Sequence, residues 1–343
     1  MNRHNSKAQS RMTKPNLASN KRMSKAECRK FFSVVVISLL SLFLMPGSLS
    51  AQVTYTSDTT CYVKITYSGT SAAVVVSSDI KDYITATVSG GDVTVTSTAT
   101  SAVNEITYGL YGSTTDGSFT FNGSYKATVE LFGVNITNPD GPAMDIQNGK
   151  RIELSAKKET VSTLTDGTST ASDAWKSALY CKGHIQFKGK GTLNVYGNYA
   201  HAVKAGEYIT VKNCTINVYS AVKDAINCNQ YFLMESGEMN LSGFGDDGIQ
   251  VSLENNDTSA ENTGNFTMTG GTININMSAA TGESVKAEGT QSVAAAAALN
   301  LTTDIELVEG RKSQVESRKV LRGAEIVIEH NGKLYNAFGT EVR

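Results

Sequence analysis

From about Val129 to Gly289 the apolar residues recur in short runs that alternate with polar ones, three runs to a unit. The first run gives the pairs Met144/Ile146, Leu179/Cys181, Val203/Ala205, Ile226/Cys228, Ile249/Val251 and Val285/Ala287. The second gives Ile152/Leu154, Ile185/Phe187, Ile209/Val211, Phe232/Met234 and Phe266/Met268. The third gives Val134/Ile136, Leu193/Val195, Ile216/Val218, Met239/Leu241 and Ile273/Ile275. Gly, Asn and Asp separate the runs. Period-two alternation over a few residues predicts short strands with one buried face.

The units repeat. His201–Ser220 aligns with Asp224–Gly243 at an offset of 23 residues without a gap, placing Ala202 on Ala225 and Tyr208 on Tyr231. Ser177–Gly197 fits with one extra residue, and the unit after Asp247 fits once a segment around "LENNDTSAENTG" is looped out. Three strands per ~23 residues predict an all-β parallel β-helix, in which equivalent strands stack into three sheets. A propeller blade needs about 40 residues, and the leucine-rich pattern is absent.

Two columns follow from this register. Cys181, Ala205 and Cys228 share an inward column, and two rungs put the cysteines close to ~10 Å apart, beyond disulfide reach. They are expected to be small buried packing residues. On the third run Asn135, Asn194, Asn217, Asn240 and Asn274 each lie between two inward apolar residues. They predict an outward amide ladder, as stacked Asn forms in cross-β assemblies, or a flat polar strip for a glycan.

The ends read differently. A basic stretch precedes the apolar run Phe31–Met45 and then "PGSLSAQ", the order of a secretory signal over 1–51. The run is shorter than the ~20 residues a spanning helix needs. Removing 1–51 leaves 22 basic and 31 acidic residues of the full chain's 31 and 32, a net charge of about −9. That balance excludes a nucleic-acid partner, which calls for clustered positive charge, and suits cations. Residues 52–107 are expected to form an N-terminal cap or irregular first rungs, 108–289 the regular coil, and 290–343 a C-terminal rung or cap with a hairpin turning at Asn331-Gly332.

The chemistry lies at the corners that enter the first strand of each unit. Stacked one rung apart, Asp224, Asp247 and Glu283 fall on one edge, with Asp246 beside Asp247. Like charges that close are destabilising unless a cation binds or lysines intervene, and calcium accepts six to eight oxygens. Asp and Gly also simply make good corners. The adjacent Asp246-Asp247 pair is a poor glycosidase site, because neighbouring residues point apart and that chemistry needs a set separation. No arginine lies between Arg151 and Arg311 to act as a lyase base, and no lysine is distinguished among several candidates. Outward on the first sheet come Tyr180, Lys204, Asn227 and Gln250, with Tyr208 and Tyr231 on neighbouring surfaces. Aromatic rings beside hydrogen-bonding groups suit a sugar groove, and tyrosines stacked along a sheet also stabilise it without any ligand. Trp175 is expected either to anchor sugar from a loop or to plug a rung end.

Gly123–Gly167, Ser177–Gly197 and the Asp-containing turns before "AIN" and "GIQ" resemble a family of secreted, calcium-associated carbohydrate-binding proteins with a pectate-lyase-like shape. Glu159–Asp166 resembles a stretch of that family's pattern. The chain departs from it at Ser177-Ala178 and His201-Ala202, where the family more often has Asp-Gly. The resemblance implies a right-handed β-helix, calcium as cofactor and a plant-cell-wall polysaccharide, cellulosic or pectic, as partner. The expectation is a secreted, non-catalytic binder with calcium at Asp224, Asp246, Asp247 and Glu283. A calcium-dependent lyase on acidic glycans and a surface adhesin are the alternatives.

Overall fold

A computed structural model describes residues 52–168 and 176–302, with the later strands Ser317–Arg322, Glu325–His330, Lys333–Tyr335 and Glu341–Val342. The signal segment, Trp175 and the turn at Asn331-Gly332 lie outside the described residues. Among the described residues the chain is all-β: strands succeed one another, with a short 3₁₀ turn at Lys81–Tyr83.

The pairings follow the repeat. Met144–Gln147, Ser177–Cys181, His201–Ala205, Ile226–Asn229, Ile249–Ser252 and Val285–Ala287 form one ladder of parallel strands. Ile152–Ala156, Ile185–Gly189, Ile209–Val211, Tyr231–Met234, Asn265–Met268 and Gln291–Val293 form a second. Asn135–Thr137, Val161–Thr165, Thr192–Gly197, Thr215–Ala221, Glu238–Leu241, Gly271–Asn276 and Ala297–Thr302 form a third. Val203 lies against Ile226, and Ile226 against Ile249, each 23 residues on.

Both faces of the pattern behave as alternation requires. The apolar members of the three runs turn inward and are almost wholly buried, from Met144 to Ile275. Identical shapes stack along the interior, as where Phe232 lies parallel to Phe266 with ring centres 5.3 Å apart. Each such ring, fully enclosed, contributes on the order of 2–3 kcal/mol by leaving water. Cys181, Ala205 and Cys228 stand in one buried column, and the cysteines are unbridged. Burial pushes both thiols up to about 12, which removes them from thiolate chemistry.

The asparagine ladder exists, with different ends. Asn217 donates to Asn194 at 2.9 Å, Asn240 to Asn217 at 2.9 Å, Asn274 to Asn240 at 2.7 Å and Asn300 to Asn274 at 2.8 Å. Asn135 does not belong to it. The third ladder includes Val161–Thr165, so Thr163 stands between Asn135 and Asn194. A threonine hydroxyl is too short to carry an amide chain across that rung. Asn300 instead extends the column by one.

The parallel pairing reaches back into residues 52–107. Tyr62–Gly69 pairs in parallel with Thr107–Thr114, and Gly91–Ser97 with Gly117–Asn122. Antiparallel partners cover these first strands: Ser71–Val76 on Tyr62–Gly69, and Ile84–Ser89 on Gly91–Ser97. At the other end Ala297–Thr302 is followed by antiparallel pairings through Ser317–Arg322, Glu325–His330 and Lys333–Tyr335. A change to antiparallel pairing at each end closes open ladder edges that otherwise invite association.

Candidate functional site

The first ladder positions the site. Its inward residues are apolar, so period two turns the intervening ones outward, one per rung. That outward column runs Asp145, Tyr180, Lys204, Asn227, Gln250 and Lys286, each in register with the next. Lys204 Nζ donates to Asn227 Oδ1, and Asn227 Nδ2 donates both to Gln250 Oε1 at 2.9 Å and to Asp224 Oδ2 at 2.7 Å. Asn227, only 6% exposed, is therefore the hub that orients its neighbours. Lys204 and Gln250 keep further N–H groups for a ligand.

Beside this column the corners form an acidic edge. Asp224, Asp246 and Asp247 each present a carboxylate oxygen, all within 4.8 Å of one another. Asp224 and Asp247 are 1% exposed, whereas Asp246 is exposed. The buried pair forms a relay between rungs: Asp224 Oδ1 accepts the Asp247 N–H at 3.2 Å, and Asp247 Oδ1 accepts the Glu283 N–H at 2.7 Å. Glu283 thus enters the corner through its backbone, and the carboxylate cluster comprises the three aspartates. Basic groups temper it, with His201 Nδ1 3.1 Å from Asp224 Oδ2 and Lys286 Nζ 3.1 Å from Asp247 Oδ2. Burial alone would raise the Asp224 carboxyl, but the adjoining His201 ring and its charge, the Asn227 amide and the Asp247 N–H together hold it below its ordinary value. Asp224 therefore stays charged at neutral pH.

Do these residues fit a calcium ion? Three carboxylates converge, and a Cβ added to Gly282 would meet Asp247 Oδ1 at 2.3 Å and Asp246 Oδ1 at 2.6 Å. Only glycine leaves that space open. His201 Nδ1 is buried and, although it pairs in charge with Asp224, lacks an aligned hydrogen bond. The donor set fits a hard cation at the mouth of the corner, with Asp246 as its exposed ligand and Asp224 and Asp247 behind it.

Column and corner open on one cavity of about 600 Å³, lined by His201, Lys204, Asp224, Asn227, Asp246 and Gln250 among others. Of the six residues expected to contact sugar, the structure gathers Lys204, Asn227 and Gln250 in that wall. Tyr180 lies one rung further, opposite Lys204. Tyr208 and Tyr231 are elsewhere, where the second strands begin: Tyr208 directly precedes Ile209–Val211 and Tyr231 opens Tyr231–Met234. There Tyr208 stacks on Tyr231 with centres 4.4 Å apart, and His184 on Tyr208 at 4.0 Å. Tyr208 is therefore covered on both faces, by His184 and by Tyr231.

Sequence reasoning missed two features. Lys204 is set apart from the other lysines, because burial lowers its ammonium below the usual range despite the nearby Asp224. Its position under the column and against the corner produces this, and the type of residue carries no trace of it. Asp166, at the end of Val161–Thr165, is a further buried corner carboxylate: its Oδ1 accepts the Asn198 N–H at 2.5 Å. The signal for it was present, since Asp follows a third strand here as at other corners.

Among the described residues no helix is long and apolar enough to cross a membrane. A family model described as carbohydrate-binding domain-containing protein matches residues 89–337. No curated protein matches the sequence. Among solved structures, a polysaccharide lyase-like protein from C. thermocellum, determined as a gadolinium derivative, is similar with a TM-score of 0.56 and 21% identity. The match covers 69% of this chain and 98% of that one, and the likeness is one of fold.

Proposed function

We propose, on the premise that the chain belongs to the family of carbohydrate-binding domain-containing proteins, that it is a secreted, non-catalytic binder of plant-cell-wall-type polysaccharide. In this reading it is a right-handed parallel β-helix with three strands per ~23-residue rung. The glycan lies along the first-ladder face. The observation that carries the reading is the column in which Lys204, Asn227 and Gln250 border the cavity and Tyr180 continues it by one rung. Its side chains follow one another at the rung spacing of ~4.8 Å, so an extended polymer meets a new polar group at every rung. Calcium at Asp224, Asp246 and Asp247, with Glu283 in the same corner, adds an attachment point for acidic sugars. A cellulosic glycan engages the column alone.

An affinity panel on insoluble cellulose and on pectate, with and without chelator, tests this. Retention on either polymer that falls in the variant Lys204→Ala with Gln250→Ala supports it. Retention on neither polymer, or retention unchanged by both substitutions, overturns it.

One observation favours a second reading, a lyase acting on uronic-acid polymers. Burial lowers the Lys204 ammonium below the usual lysine range despite the nearby Asp224, the direction a proton acceptor needs, and Lys204 shares its cavity with the acidic corner. Calcium held there would supply charge neutralisation of a sugar carboxylate. Lys204 in its amine form would take the proton on the carbon beside that carboxylate; the freed electron pair would form a carbon–carbon double bond as the neighbouring carbon–oxygen glycosidic bond breaks, and solvent water would protonate the leaving oxygen. Ultraviolet absorbance from unsaturated products, lost in Lys204→Ala, would establish this chemistry. Binding with flat absorbance leaves the binder.

A further inference from the structure

Tyr219, 46% exposed, is the one exposed aromatic side chain among the described residues of 108–289. An irregularity of the third ladder puts it there. Val195 pairs with Val218 but Tyr196 pairs with Ser220, so the later strand carries one extra residue between the two pairs. That residue is Tyr219. A β-bulge of this kind bends the strand and re-aims a side chain, and bulges recur beside functional sites. Here the Tyr219 ring stacks on the Tyr196 ring, with centres 5.1 Å apart and planes inclined by 20°.

The rungs on either side bring no further ring to the pair. On one side Thr165 is in register with Tyr196. On the other Leu241 pairs with Val218, so Ser242 and Gly243 follow where Tyr219 and Ser220 stand. None of these is large enough to cover a phenol. Glycine is required at 243, where φ is 65° and an added Cβ would meet Tyr219 O at 2.2 Å. The Tyr208 stack is the reverse case, with its middle ring covered on both sides. Three residues after Tyr219, Val222 is 57% exposed and lines the cavity that holds Lys204, Asp246 and Gln250. Tyr219 and Val222 thus give a polar cavity an apolar rim, and exposed apolar groups bordered by polar ones mark binding surfaces.

We propose that Tyr219, backed by Tyr196, is a sugar-stacking platform at the rim of the cavity, and that it takes a neutral pyranose with equatorial linkages, the cellulosic class. The inference rests on the binder reading above and adds the residue that chooses between its two glycan classes. An aromatic face carries negative charge density. A pyranose whose hydroxyls and linkages are all equatorial turns only weakly positive C–H groups toward that face. In pectate, axial linkage oxygens interrupt the C–H surface, so that polymer gains less from the ring and depends on the acidic corner. Val222 continues the apolar strip from the ring to the cavity, where Lys204 and Gln250 offer N–H groups to sugar hydroxyls. Stacking on Tyr196 holds the Tyr219 ring in place beforehand, which reduces the side-chain ordering that binding costs.

Pull-down of the full chain on amorphous cellulose and on calcium pectate, with calorimetric titration of cellohexaose, tests the platform in Tyr219→Ala and Tyr219→Phe. Tyr219→Ala should weaken cellohexaose binding by about three- to tenfold, with a smaller change on pectate. Tyr219→Phe keeps the ring and should bind as the wild type does. The side chain is exposed, so both variants should melt close to the wild type. Cellohexaose binding at wild-type strength in Tyr219→Ala overturns the platform and leaves the binder reading to stand on Lys204 and Gln250. Wild-type retention on pectate alone has the same consequence, whereas retention on neither polymer overturns both. Sedimentation velocity covers the remaining occupant, a second copy of the chain. If Tyr219→Ala turns a dimer into a monomer and loses glycan only through that change, the ring is a contact between copies and the platform is overturned.

Discussion

Two outward columns run along the same coil, and they differ in kind. On the third ladder one residue type repeats: Asn194, Asn217, Asn240, Asn274 and Asn300, each amide donating to the one before it. On the first ladder Asp145, Tyr180, Lys204, Asn227, Gln250 and Lys286 differ at every rung, and the middle three, Lys204, Asn227 and Gln250, border a cavity. Backbone geometry and spacing are alike in both. A uniform column satisfies itself, because every amide finds an identical partner one rung away. A mixed column leaves N–H groups over, which in the proposed function are the groups offered to the glycan. On that proposal, repetition along a ladder marks scaffold and variation marks recognition.

The contrast can be broken by substitution. The reference point is the interior, where Phe232→Ala should cost about 3–5 kcal/mol, read as a lower urea midpoint. If it costs less than either outward column, the core does not dominate stability. Next, Asp224→Ala removes the acceptor of a buried N–H and the partner of Asn227 and His201. It should lose about 2–3 kcal/mol together with glycan retention, since Asn227 is no longer held. In the ladder, Asn217→Ala breaks two hydrogen bonds and should lose about 1–2 kcal/mol while leaving glycan binding at the wild-type level. A fall in retention with Asn217→Ala would erase the distinction between the columns. Gln250→Ala, half-exposed, should do the reverse, with weaker retention and nearly unchanged stability.

The smallest effect expected is in acid. Asp224 is held below its ordinary carboxyl value, near 3.8. A depressed native carboxyl adds stability above the unfolded value, and that contribution disappears as pH falls through the native one. Urea midpoints should therefore decline below about pH 3.8, and the decline should be shallower in Asp224→Asn. A decline of equal depth in that variant removes Asp224 from the acid response.

Much of the candidate site was legible before any coordinates. The outward positions Tyr180, Lys204, Asn227 and Gln250 follow from counting by two along strands whose inward members are apolar. The corner alignment of Asp224 with Asp247 and Glu283 follows from the 23-residue repeat and from the longer unit after Asp247. What was not legible has two causes. Val161–Thr165, with serine and threonine at most of its positions, carries a weak apolar signal, so the rung that separates Asn135 from Asn194 is hidden in the sequence. Alternation says which side of a strand a residue takes, not how the rings of Tyr208 and Tyr231 are turned on one another.

What the sequence by itself determined is the scaffold: strands, their inward faces, the unbridged cysteine column and the register. These depend on local alternation and on one repeat length, both written in consecutive residues. Tertiary structure alone decided which groups meet where the chain leaves that register. It buried Asp224 and Asp247 while exposing Asp246, desolvated Lys204, turned the tyrosine faces onto each other, and set Tyr219 exposed at a bulge of the third ladder. Each of these rests on side chains from different rungs, and on backbone angles at corners such as the left-handed Gln230, where no periodicity constrains the chain.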